Sequence, residues 1–505
     1  MCKKLILVFL VLSTINIYSQ ELIKQDLDEL SLKYAKESFQ ELYEFFSISN
    51  DANYPEQIEP NVKWCEKAFS KRGFKTQRLE TSTVPLLLAT RENPKAKKTV
   101  LVYLQVDGQP VDTTKWYQPN PYIPALKEQN TNGNWNIIPW NKLEGEINND
   151  WRIFSRSASD ARGPDMMFLK AIDILNDFKF KPDYNLKVIM DFEEELGSPN
   201  LPKAVLENKE LLAADMLVIF DGPRHLSNKP TLSYGARGIA EITIEVFGPR
   251  SPLHSGNYGN YVPNPAMKLS QLLATMWRED GRVTIPGWYD GITISDEVKK
   301  ILKQVPDDEA QIQKDFGIAS TENIGTNFQE AIQYPALGIL GMEAAWVGKE
   351  TRTVIPASAT AEMNIRLVKE TNGDRMVLLV KKHVENQGFH LIKGEPTEEE
   401  RLTYKKLARF NSKVSYGAFR TEFNTEVGEW LRKGMRFAFG ENPIQIRTMG
   451  GSIPISPFVI TLGIPAVGVP TVNPDNNQHS PNENIRLGNY IEGIKTITAI
   501  LMQDF

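Results

Sequence analysis

Three short apolar runs in the first half of the chain each stop at a polar or acidic cluster. Thr99 to Val106 stops at Asp107, Leu186 to Phe192 at Glu193, Glu194 and Glu195, and Met216 to Phe220 at Asp221. Apolar-rich runs of this length, of which Thr99 to Val106 is nearly continuous, read as buried strands of the kind found in helix-covered sheets. Helical spacing surrounds them, with apolar residues every three or four positions from Leu30 to Phe46 and again from Asp165 to Phe178. The pattern predicts an α/β unit. In open α/β sheets ligands gather outside the carboxyl ends of the strands, and these acids lie at those ends.

From about Tyr234 the texture changes. Ile239 to Val246 and Ala359 to Val368 alternate as half-exposed strands do, Pro265 to Trp277 and Met376 to Val384 are spaced as helices, and Phe389 to Ile392 reads as a short strand. Alternating strands with two helices predict an inserted α+β domain. The charged stretch Lys393 to Glu400 reads as the return linker. The α/β pattern resumes near Phe410, with a helix near Val427 to Phe437, a strand at Ala466 to Val472 and a last helix at Tyr490 to Met502. The expected division is a leader at 1–20, an α/β segment at 21–233, the insert at 234–408 and a second α/β segment at 409–505.

The leader is read from Lys3 and Lys4, the apolar run Leu5 to Leu12 and the polar exit through Gln20, the make-up of a signal peptide. Cleavage is expected near Ser19 or Gln20, and the protein is expected to be secreted or periplasmic. Cys2 departs with the leader. Cys65 then stands alone, cannot form an internal disulfide, and reads as a small buried residue. Beyond the leader no apolar stretch is long enough to span a bilayer. The net charge of −5, with no long basic run, gives nucleic-acid binding no electrostatic support.

Acids or a histidine stand at five places: Gln105-Val106-Asp107, Ser159-Asp160, Glu194-Glu195, Asp221 and His479. One acid at a strand end is usually a cap or a solvated residue. Metal sites need several carboxylates and imidazoles converging from separate elements, so the set carries more meaning than any member.

These segments resemble those of the M20 metallopeptidases, in particular the carnosinase-like dipeptidases. Leu104-Gln105-Val106-Asp107-Gly108-Gln109-Pro110 is similar to the family's Gly-His-x-Asp-Val-Gln-Pro. Ser155 to Pro164 resembles Gly-Arg-Gly-x-x-Asp-Asp-Lys-Gly-Pro, and Glu194 to Ser198 resembles Glu-Glu-x-Gly-Ser. Leu253-His254-Ser255-Gly256, Thr353 to Pro356, Ile365 to Val368, Gly450 to Pro454 and His479 to Glu483 are similar to later family segments, in family order.

The resemblance implies a metal-dependent exopeptidase catalytic domain of α/β class with an inserted α+β lid and dimerisation domain. It implies that Asp160 bridges two metal ions, that Glu195 and His479 complete the first site, and that Asp221 and Gln105 complete the second. Asp107 would orient its neighbour at 105, and Glu194 would be the general base for a metal-activated water. His254 would reach a partner's active site across a lid-mediated homodimer, and Arg366 would hold a substrate carboxylate in a two-pronged pair. Thr353, Gly450, Gly451 and Ser452 would line the substrate. The implied reaction is hydrolysis of an amide bond in a small peptide or N-acyl amino acid, with zinc or manganese as metal.

The chain departs from the family pattern around the metals. Gln105 stands where the family has histidine, Ser155 and Ser157 replace two glycines, and Ala161-Arg162 replaces Asp-Lys. A neutral amide oxygen suits manganese better than zinc, so one tight site and a weakened second site are expected. Two other readings remain open at this point: a non-catalytic peptide- or metal-binding descendant, and a mononuclear enzyme using only Asp160, Glu195 and His479.

Overall fold

The computed structural model describes residue 23 and residues 26–505. The leader segment 1–20 lies outside the described residues. The chain divides into two compact units. The first holds the described residues up to Gly235, with Arg420–Arg447 and Pro457–Phe505; the second holds Ala236–Phe419 with Thr448–Ser456.

The first unit is built on an eight-stranded sheet. Its strand order is Lys75–Leu79, Leu86–Arg91, Asn185–Asp191, Thr99–Gln105, Met216–Ile219, Ala466–Gly468, Thr231–Ser233 and Ile444–Ile446. The four strands from Asn185–Asp191 to Ala466–Gly468 run parallel. The three apolar runs of the sequence supply three of them, and residues 100 to 104 are all buried because both sheet faces are covered. Helices Leu27–Phe46, Arg162–Asp177, Glu426–Phe439 and Leu487–Leu501 share a core with the sheet. The last helix packs so closely on Arg162–Asp177 that a Cβ at Gly493 would lie 2.1 Å from Met167 Sδ. The strand ends are level: Gln105 pairs with Asp191 in parallel register, and Val106 N–H donates to the Asp191 carbonyl. Gln105 and the acidic segment after Asp191 therefore leave the same edge of the sheet.

A separate four-stranded sheet, ordered Asn484–Arg486, Arg152–Phe154, Ala125–Gln129 and Trp135–Ile137, was not anticipated from the sequence. It lays the chain just after His479 beside the chain just before Asp160.

In the second unit, strands Ala336–Glu343, Ser358–Leu367, Gly235–Phe247, Leu407–Tyr416 and His390–Ile392 form a sheet in that order. Helices Pro265–Ala274 and Gly373–Asn386 share its core. Where a linker was expected, Thr397 and Glu400 form a reciprocal capping box that starts a short helix, Glu398–Thr403. The strand after it continues through Tyr416, so this unit runs past residue 408 to Phe419. Among the described residues no helix is long and apolar enough to cross a membrane.

Candidate metal centre

Asp160 stands on the loop between strand Arg152–Phe154 and helix Arg162–Asp177, and its peptide bond to Ala161 is cis. The loop is held by Glu483, whose carboxylate is fully buried. That carboxylate accepts from the backbone N–H groups of Ser157, Ser159 and Asp160 at 2.9 to 3.0 Å, from Ser159 Oγ at 3.0 Å, and from Arg156 Nη1 at 2.7 Å. Charge-assisted bonds of this kind are about twice as strong as neutral ones. Glu483 thus ties the segment that carries His479 to the loop that carries Asp160. The sequence reading gave Glu483 no role; its place in the His479 to Glu483 motif was the only signal.

Ser157, at a family glycine position, has φ 59, in the left-handed region that glycine enters freely. Its hydroxyl accepts from Asn50 Nδ2 at 2.8 Å, a polar anchor that glycine would lack. Arg162, fully buried, donates to the carbonyls of Phe45, Ile48 and Val106 and to Asn61 Oδ1. It binds the backbone behind the site.

The two carboxylate oxygens of Asp107 accept the backbone N–H groups of Glu194 and Glu195, each at 3.0 Å. Both oxygens are thus committed to the 3-10 turn Glu194–Leu196, and the bonds seen for Asp107 run to that turn and not to residue 105. The three consecutive glutamates are thereby sorted. Glu193 is buried and turned toward Thr83 and Asn200. Glu195 accepts from Gln109 Nε2 at 2.7 Å and lies 3.4 Å from His479 Nε2. Glu194 sits half-buried among the charges of Glu195, Asp160, Asp221 and Asp107.

His479, with φ 60, places Nε2 2.9 Å from Asp160 Oδ2. Asp160, Glu195 and His479 each offer one donor atom, all within 4.8 Å of one another. The electrostatics suit a cation. Burial, then the Asp160 charge, pushes the Glu195 carboxyl up to about 8 and likewise Asp221 up to about 8. The hydrogen bond to Asp160 raises His479 to about 9. Clustered buried carboxylates hold on to protons unless positive charge replaces them, and a divalent ion meets that need with the oxygen and nitrogen donors present.

The second set is less complete. Gln105 is buried, and its Nε2 donates to Asp160 Oδ1 at 2.5 Å. Its Oε1 is buried without a hydrogen-bond partner among protein groups, an orphaned acceptor that a cation would satisfy. Asp221 accepts from Gly222 N–H at 2.6 Å and shares the electrostatic field of Asp160.

The remaining sequence candidates belong to the second unit. His254 and Val354 pair across a two-stranded ribbon, and Ser255 N–H donates to the Thr353 carbonyl, which brings the His254 and Thr353 segments together. His254 Nδ1 accepts from Gly256 N–H at 3.0 Å. The neutral ring therefore carries its proton on Nε2. Arg366 Nη1 donates to Ser452 Oγ at 2.8 Å. A Cβ on Gly450 or Gly451 would meet nothing within 4 Å, so packing inside the chain does not account for either glycine.

Two carboxylates and an imidazole, brought together from three separate segments, form a set able to hold a divalent cation. The chain matches the model of Peptidase family M20/M25/M40 over residues 124–503, and it belongs to that family. It is 27% identical over 473 residues to the Cys-Gly metallodipeptidase dug1 of Schizosaccharomyces pombe, covering 89% of this chain and 91% of that protein. It is 27% identical to the Beta-Ala-His dipeptidase of Mus musculus, covering 83% and 80%. The crystal structure of an M20 family metallo-carboxypeptidase from Sulfolobus solfataricus superimposes with a TM-score of 0.76 at 27% identity, covering 92% of this chain and 98% of that one.

Proposed function

We propose that this chain is a dipeptidase that hydrolyses the amide bond beside a free carboxylate, in dipeptides or N-acyl amino acids. The observation that carries the reading is the convergence of Asp160, Glu195 and His479 with Glu194 alongside. The dipeptidase names of the relatives support the substrate class. A divalent cation, when bound, supplies a Lewis acid that polarises the scissile carbonyl and brings the pKa of water to about 7. Asp160, Glu195 and His479 would hold it, and Asp160, Asp221 and Gln105 would hold a second, weaker one for which manganese is favoured over zinc.

Glu194 accepts the proton of the attacking water as the water oxygen bonds to the carbonyl carbon. It returns that proton to the amide nitrogen as the carbon–nitrogen bond breaks. Asp107 keeps Glu194 and Glu195 pointed apart by holding their N–H groups. Arg366, steadied by Ser452, pairs with the substrate carboxylate; Thr353, Gly450 and Gly451 line its path. His254 donates a hydrogen bond from its Nε2–H to the carbonyl oxygen of substrate bound by a second copy of the chain, keeping its proton.

The homodimer is assigned to the second unit. Strand Ala336–Glu343 is the free edge of its sheet, with Leu340 65% and Met342 53% exposed. An apolar sheet edge calls for a partner, and two such edges fit a two-fold axis. On the leader pattern of Lys3 to Gln20, the enzyme is assigned to the periplasm or the exterior.

The test is a screen of dipeptides and N-acyl amino acids after chelation and reloading with zinc, manganese or cobalt. Metal-restored cleavage is expected. Loaded protein that cleaves no member of either class would refute the reading.

A further inference from the structure

The second unit contains a cavity of about 580 Å³ that none of the roles above uses. Arg237 lines it and is 8% exposed. Its Nε donates to the Ile332 carbonyl at 3.0 Å and its Nη2 to the Tyr334 carbonyl at 2.9 Å. Those bonds pin the turn that leads into strand Ala336–Glu343, but they leave the charge unmatched. The charged neighbour it feels is Arg366, another cation, and together with burial this lowers the Arg237 pKa to about 10. A buried guanidinium without a carboxylate is an unusual expense, because buried charges are ordinarily paired. The walls are apolar and partly aromatic at Trp277, Tyr289, Ile312, Phe316 and Phe328, and they also carry two carboxylates, Glu309, which accepts the Phe328 N–H at 2.8 Å, and the exposed Glu322; the bonds of Arg237 go to neither. Phe316 is 71% and Phe328 44% exposed, so large apolar faces stand open to solvent at this place.

We propose that this cavity is a small-molecule site that takes an organic carboxylate with a flat apolar body, its carboxylate on Arg237 and its body against the aromatic walls. Its volume falls in the range of about 300–1,000 Å³ of ordinary ligand pockets, which combine apolar walls with a few polar anchors. A carboxylate is the complement of a guanidinium fork and supplies the counter-charge that the fold withholds. The site lies wholly in the second unit and needs no metal.

The probe is indole-3-propionate, which has no amide bond to cleave. Calorimetry on the full chain compares it with 3-(indol-3-yl)propanol, which lacks the charge, and with acetate, which lacks the body. One equivalent of indole-3-propionate is expected to bind, with the alcohol and acetate about tenfold or more weaker. Arg237→Gln and Ala331→Trp, the second placing bulk in the cavity from helix Phe328–Ala331 while keeping the Arg237 side chain, should each raise Kd about tenfold or more. If Arg237→Gln fails to fold, Ala331→Trp decides. No binding to the unaltered chain, equal binding of the alcohol, or unchanged binding in Ala331→Trp would each overturn the assignment; the last would place the ligand elsewhere, including the metal centre.

Discussion

Asp165 stands in the first turn of helix Arg162–Asp177, buried, with neither carboxylate oxygen hydrogen-bonded to a protein group. The helix N-terminus favours a negative charge by about 0.3–1 kcal/mol. Removing a carboxylate from water costs several kcal/mol, so desolvation wins. Burial pushes its pKa well above the usual range, Arg162 pulling it down and Asp221 adding to the rise. An acid whose folded pKa exceeds its unfolded value of about 3.9 contributes most stability below that value and loses the contribution as pH rises toward the folded pKa. Asp165→Asn should therefore gain stability on the unaltered chain as pH goes from about 4.5 to 7.5. Urea melts at both values measure it, and a difference that does not change with pH would contradict this account. Burial pushes the Glu483 carboxyl up as well, but unlike Asp165 it has hydrogen-bond partners for both oxygens. Glu483→Gln presents an N–H to donors that need an acceptor, and metal affinity should fall about 10- to 100-fold; titration of the folded variant checks this. The sequence identified Asp160, Glu195 and His479 through motif order. Glu483 was legible only as the last residue of the His479 to Glu483 segment, with no role attached, because a carboxylate that binds backbone N–H groups leaves no pattern in side-chain types. The bonds that Asp107 accepts from Glu194 and Glu195 were not legible, because they join segments far apart in the chain.

Among the elements, the end of strand Thr99–Gln105 carries the residue on which the proposed second ion depends. The first set keeps three charged or imidazole donors; the second depends on a neutral amide already donating to Asp160. Calorimetry of the metal-free protein should find one tight zinc site per chain and a second filled only at high concentration. Gln105→His should tighten the second by about tenfold or more, as a change of donor should do no less than an outer partner does. Two equally tight zinc sites in the unaltered chain would contradict the assignment. The long buried strands were legible because they are apolar-rich runs. Ala125–Gln129 and Trp135–Ile137 were not, since their mixed polarity matches neither period. Strand Ala336–Glu343 escaped notice because Gly338 and Gly341 interrupt it and, Leu337 apart, its large apolar residues are exposed.

At the scale of the whole molecule, the second unit is assigned both dimerisation and a share of the catalysis. Leu340→Lys should convert the dimer to a monomer in light scattering and lower turnover, because His254 would lose its partner. A His254→Ala protein mixed with a Glu194→Ala protein should regain activity in verified hybrid dimers, and no recovery would count against sharing. The membership of the family and the convergence of Asp160, Glu195 and His479 leave one claim above the others: hydrolysis with Glu194 as base beside a metal held by Glu195. The most direct test measures metal content and dipeptide turnover together in Glu194→Gln and Glu195→Gln. Glu194→Gln is expected to keep its metal and lose about 10²- to 10⁴-fold in kcat, while Glu195→Gln loses the metal. Full turnover in Glu194→Gln, or the two outcomes exchanged, would contradict that claim.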